Sequence, residues 1–192
     1  MKALYLILSV LIALNSQFSF ALTGGVSGGG GYVINPTLPE KYQDPELVES
    51  MVKCTLKPVQ DYLQKKNLEF NSGKLAENEI EIFTKIFTTP LSIHDALKKV
   101  KLDVTDEKPC FDSENKPVDG SIFHKNKKAV CISAKNIADK VHFNEIKAQS
   151  AALIIHEYTE VIGLTEEGAI EVQKISLDEF KRKPIPNNHN QY

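Results

Sequence analysis

Apolar side chains recur at helical spacing over most of this chain and alternate in only one short central section. Asp44-Pro45-Glu46 reads as a helix start: a capping residue, a proline in the first turn and an acid at the positive end of the helix dipole. Leu47, Met51 and Cys54 form its apolar stripe, extended by Val59 and Leu63, and Pro58 is expected to kink or break it. A second helix is predicted from about Leu75 to Thr88, with Ile80, Phe83, Ile86 and Phe87 facing inward and Pro90 ending it. Ser92 caps a short third helix through Val100, carrying Ile93, Ala96, Leu97 and Val100.

The period then changes. Residues 101–105 alternate as a strand does, and residues 121–123 and 129–133 predict two strands joined by the polar turn from His124 to Lys128. Ser133 or Asn136 opens a short helical turn. From Asn144 a long helix follows, with Ile146, Leu153, Ile154, Ile155, Tyr158, Val161 and Ile162 as a broad apolar surface and Gly163 as its stop. Thr165 caps a last helix to about Phe180, with Ala169, Ile170, Val172, Ile175 and Phe180 as its apolar positions. Helices, a small β-region, a long buried helix, a glycine turn and a final helix make an α+β fold, a single domain over residues 44–181.

The ends read differently. Met1-Lys2, an apolar run from Ala3 to Leu14 and Ser19-Phe20-Ala21 describe a secretory signal over residues 1–21, with cleavage expected after Ala21. The glycine-rich stretch that follows predicts a flexible leader over residues 22–43, extended from Tyr32 to Tyr42, and residues 182–192 a disordered tail. An exported protein, periplasmic or secreted, is the expectation, with no later membrane span. Lysine and arginine number 23 against 25 acids, a net charge of −2. The densest basic cluster, Lys125, Lys127 and Lys128, is too short to track phosphates, which argues against a nucleic-acid partner. Export also permits a disulfide among the three cysteines. Cys110–Cys131 is preferred because both flank the predicted hairpin region, leaving Cys54 as a buried thiol within the first helix.

The chemistry is concentrated in Ile154-Ile155-His156-Glu157-Tyr158-Thr159-Glu160-Val161-Ile162-Gly163-Leu164-Thr165-Glu166. Residues four apart on a helix share a face, so His156 and Glu160 point together, with Glu157 about 100° around the axis. Gly163 then turns the chain and brings Glu166 back. One imidazole and two carboxylates can converge, with a third carboxylate beside them. Plainer readings exist for most of these. A histidine among apolar residues packs or is solvated, Glu157 can lie at the surface, and Glu166 and Glu167 sit where any helix start favours acids. Glu160 is harder to explain so, because the last helical turn disfavours negative charge and Glu157 lies three residues away.

The segment resembles the active helix of the zincin metallopeptidases, H-E-x-x-H, with glutamate at the second histidine position. The likeness covers about residues 129–171: an edge strand, a connector, the helix, the glycine turn and an acidic helix start. It implies a small zincin-like domain with His156 and Glu160 as metal ligands and Glu157 as general base. Glu166 would be the third ligand, by its G-x-x-E spacing and by the E-x-x-A pattern completed at Ala169, with Glu167 and Glu171 as alternatives. Zinc is the implied cation. A carboxylate at 160 makes the site harder and more anionic, moving preference toward manganese, calcium or magnesium. Three readings follow, and the sequence leaves open whether the chain is an enzyme. It is an exported metal-dependent peptidase or other hydrolase acting on a peptide or protein. Alternatively it is a catalytically inactive scaffold of that kind, binding a peptide or envelope partner along its β-edge. The third is an exported interaction protein in which the motif is chance.

Overall fold

A computed structural model describes residues 31–34, 43–122 and 129–186. The expected signal at 1–21, the leader through residue 30 and again over 35–42, the 123–128 turn with its lysine cluster, and residues 187–192 lie outside the described residues. Within them the order is α1 (Pro45–Lys53), α2 (Leu56–Asn71), α3 (Glu77–Phe87), α4 (Ile93–Lys99), β1 (Lys101–Thr105), β2 (Cys110–Phe111), β3 (Pro117–Val118), β4 (Gly120–Ile122), β5 (Ala129–Ser133), α5 (Ala134–Lys140), a 3-10 turn (Phe143–Glu145), α6 (Ile146–Val161) and α7 (Glu166–Arg182). The class is α+β.

Local chemistry sets most helix starts. The side chains of Asp44, Ser92, Ser133 and Thr165 each accept a hydrogen bond from an amide in the first turn of α1, α4, α5 and α7. Gly163 ends α6 with φ +102°, a conformation that a side chain disfavours. Two apolar stripes hold at Met51, Phe83 and Ile86, which are buried as predicted, but are displaced at one position each. In α1 Val48 and Val52 are buried while Leu47 is exposed, and in α3 Ile82 is buried while Ile80 is exposed. Each pair offers two apolar neighbours, so the stripe alone leaves the phase of the helix undecided and packing against the core decides it.

The first helix breaks before Pro58. Cys54 caps the end of α1, half-buried rather than mid-helix, and Thr55 is buried with its hydroxyl donating to the Val52 carbonyl. Pro58 then occupies the first turn of α2, where no intrahelical amide is needed. α2 runs on to Asn71, and its buried face is Val59, Tyr62, Leu63 and Lys66.

β5 is the centre of a three-stranded sheet, parallel to β1 and antiparallel to β4. The strand expected at the edge, 129–133, is therefore internal, and β1 and β4 are the edges. Val130 to Ser133 are all buried, the pattern of a strand covered on both faces. The β2–β3 pair was not legible as alternation, being two residues long on each side. A disulfide joins Cys110 on β2 to Cys131 on β5, with Val118 packed beside it. α6 runs through the main hydrophobic core. It packs most extensively on α7 and also touches α1, α2, α4, β4 and β5. Every residue of it from Gln149 to Val161 is buried. No helix among the described residues is long and apolar enough to cross a membrane.

Candidate functional site

A helix enclosed on all sides should carry apolar residues all round, yet α6 holds His156 (1% exposed), Glu157 (0%) and Glu160 (1%) in its last two turns. One ligand-type atom from each lies within 4.8 Å of the others. Glu166, at the start of α7, joins from across the Gly163 turn: its Oε1 is 3.7 Å from Nε2 of His156, and Oε2 of Glu160 is 4.0 Å from the same nitrogen. The sequence-predicted ligands His156, Glu160 and Glu166 are thus brought together. Glu157 is not a surface residue but shares the cluster. Glu167 is exposed, and no cluster forms around Glu167 or Glu171 among the described residues.

Electrostatics follow from burial. Burial holds the pKa of His156 down to about 4, against weaker opposite pulls from Gln173 and the Ala169 backbone, so the imidazole is neutral at pH 7. Burial pushes the Glu157 carboxyl well up, partly opposed by the Gly31 amide and reinforced by Glu166. Burial also raises Glu166; a hydrogen bond with Glu160 acts the other way, and Glu167 adds to the rise. Neither ring nitrogen of His156 makes a hydrogen bond of good geometry, and Oε2 of Glu157 and Oε2 of Glu166 have no partner. Among the described residues no lysine or arginine pairs with Glu157 or Glu166. Buried polar atoms are nearly always satisfied, so orphans of this kind in one place mark a site that expects something more.

The other two histidines among the described residues stand apart from this cluster. His94 is half-buried on α4, His142 caps the 3-10 turn through Nδ1, and His124 and His189 lie outside the described residues. Tyr158, predicted to face the core, is buried and its hydroxyl donates to the Val100 carbonyl.

The structure adds participants that the sequence did not single out. The Gly31 amide donates to Oε1 of Glu157 at 3.0 Å. A β-carbon on Gly31 would lie 2.4 Å from that oxygen, and one on Gly120 would lie 2.5 Å from it, so the carboxylate is held between two glycines. Gln149 and Gln173, both buried, lie on either side of the motif and bond to the backbone of Ile34 and Tyr32. One signal was present. Gln149 is seven residues before His156, and Gln173 seven after Glu166, two turns along the same faces of α6 and α7. In comparisons with known proteins, no family model, no curated protein and no solved structure matches this chain.

Proposed function

We propose that this is a zincin-like protein that binds a divalent metal and acts as a hydrolase of the peptidase kind. The observation that carries the reading is the convergence of His156, Glu157 and Glu160 in one buried cluster. His156, Glu160 and Glu166 would hold the cation. Their chemistry fits: the imidazole is neutral, as a ligand must be, and carboxylates supply the negative charge that a cation would neutralise. A divalent ion there supplies Lewis-acid polarisation of a substrate carbonyl. Glu157 would be the proton carrier: a cation beside it favours the carboxylate, whose Oε2 would take the proton of the attacking water and return it to the leaving amine. The enclosure by α7 and β4 excludes bulk water and strengthens each charge interaction. Zinc is the first candidate, with manganese favoured more than in a two-histidine site.

The disulfide supports an oxidising compartment, in keeping with the export that a signal over residues 1–21 would direct. A second reading, an inactive scaffold that holds a peptide, is favoured by one observation: Gly31 already occupies Oε1 of Glu157.

The test is metal content by elemental analysis of the purified protein. About one equivalent of zinc or manganese is expected, lost in His156→Ala and Glu160→Ala. Metal at about a hundredfold its dissociation constant should stabilise the stripped protein by about 2.7 kcal/mol. If zinc, manganese and cobalt all leave the melting temperature unchanged, the metal reading fails. Full metal occupancy without cleavage of denatured protein substrates would favour the scaffold.

A further inference from the structure

Gly31–Ile34 belongs to no helix or strand, yet six of its eight main-chain polar groups are engaged. Gly31 donates to Glu157, and its carbonyl accepts from the amides of Asp119 and Gly120 at the β4 edge, at 3.2 and 3.0 Å. The Tyr32 carbonyl accepts from Gln173 at 2.8 Å, and the Val33 amide donates to Oδ2 of Asp119 at 3.1 Å. Ile34 is gripped twice by one side chain: its amide donates to Oε1 of Gln149 and its carbonyl accepts from Nε2.

The four side chains that do this, Asp119, Gln149, Glu157 and Gln173, are themselves buried. Without the segment, Gln149 and the Glu157 oxygen lose the partners described, and each stranded group costs on the order of 1–3 kcal/mol. They form a slot that demands a main chain. Its demand on side chains is narrow. At the first position a β-carbon would meet Glu157, Leu153 and His156 within 2.9 Å, so only glycine fits. Tyr32 points outward, under the Lys140 ammonium, and Val33 is buried. Recognition of this sort, main-chain hydrogen bonds at a sheet edge with pockets for alternate residues, is how extended peptides are bound.

We propose that this slot is a binding site for an extended peptide with glycine over Glu157 and a small apolar residue two positions later, and that Gly31–Ile34 fills it in cis as a self-inhibitory strap. The strap's inhibitory role rests on the hydrolase reading; the slot itself does not, and its occupancy is measured without metal or turnover.

The probe is a fluorescent peptide with the sequence of residues 28–36, added to the full chain. A strap tethered in cis competes at an effective concentration of order millimolar, so the unaltered chain should bind weakly. Gly31→Val, which cannot seat its own strap, should bind about tenfold or more tightly. Adding Gln149→Ala to that variant should abolish the gain, and a peptide with valine in place of its fourth glycine should not bind. Equal binding by the Gly31→Val and unaltered chains, or no discrimination between the two peptides, overturns the proposal. Should Gly31→Val fail to fold, Gln173→Ala gives a second measurement. Exchange of the Gly31, Val33 and Ile34 amides should speed up about tenfold while α6 amides keep their rates. Unchanged exchange at 31–34 overturns the strap. Peptide binding in a protein that takes up no metal would leave the slot standing and the hydrolase reading fallen; metal uptake without peptide binding would do the reverse.

Discussion

Nε2 of His156 stands 3.7 Å from Oε1 of Glu166 although the two belong to different helices, and the turn at Gly163 is what makes that approach possible. Gly163 has φ +102°, where any β-carbon is strained by about 1–3 kcal/mol. Gly163→Ala should therefore lower the melting temperature and, on the proposed reading of Glu166 as a ligand, weaken zinc binding as well, because Glu166 loses its placement. Titration of the stripped variant with zinc checks this. A variant that is destabilised but keeps its metal affinity would remove Glu166 from the ligand set.

Glu157→Gln separates charge from shape. In chelator, the unaltered carboxyl keeps a proton that the unfolded chain releases above the ordinary carboxylate range, since burial raises its folded pKa. The stability it permits is full below that range and is lost as pH rises through the folded value. His156 works in the opposite direction: its pKa falls to about 4 on folding, so stability is lost as pH drops from the ordinary imidazole range toward 4. Glu157→Gln should melt higher than the unaltered chain at pH 8, with the difference vanishing toward pH 4. Melting curves across that interval decide it, and a difference independent of pH would contradict the burial argument.

Gly120→Ala tests the other wall of the carboxylate. Its β-carbon would lie 2.5 Å from Oε1 and 3.1 Å from Cδ and Cγ of Glu157, and its neighbours on β5 leave the backbone little room. Overpacking at such a site costs about 1–3 kcal/mol. The Gly31 amide should exchange faster as Glu157 is displaced, which hydrogen exchange reads directly. A variant of unchanged stability and exchange would mean the carboxylate has other room.

Replacing Cys110 and Cys131 with serine should cost about 2–5 kcal/mol, as loss of a disulfide does in a small domain. Denaturant unfolding of the oxidised and reduced protein measures the same quantity without mutation. The two measurements should agree; no difference between oxidised and reduced protein would exclude a stabilising bridge.

Lys66 is buried between α2 and α3 with Nζ 2.6 and 2.8 Å from the Glu79 oxygens, and over the rings of Tyr62 and Phe83. Glu79→Ala leaves a buried ammonium with Glu69 as its remaining partner and should cost about 3–5 kcal/mol. Lys66→Met with Glu79→Leu should recover most of it. Urea unfolding of the three proteins tests the pair.

Legibility in the sequence followed the range of the interaction. Caps at Asp44, Ser92 and Thr165 and the stop at Gly163 are decided by neighbouring residues, and the helices begin and end where those residues imply. His156, Glu157 and Glu160 were legible because four residues of helix fix their relation. Placement of β5 at the centre was not, since parallel pairing with β1 joins segments separated by the β2–β3 excursion. Least legible was Gly31. Its composition describes a flexible leader, and nothing local signals that its partner is Glu157, 126 residues away. A residue selected for having no side chain leaves no pattern of its own.

Because β4 is only three residues long and the Gly31 carbonyl takes two amides at its outer side, the strap also finishes a sheet that would otherwise end bare. An unpaired edge is a template for another chain. Displacing the strap would therefore bare that edge as well as open access to Glu157. The short, glycine-bearing edge limits that hazard, since three residues offer little length for a second strand to grip.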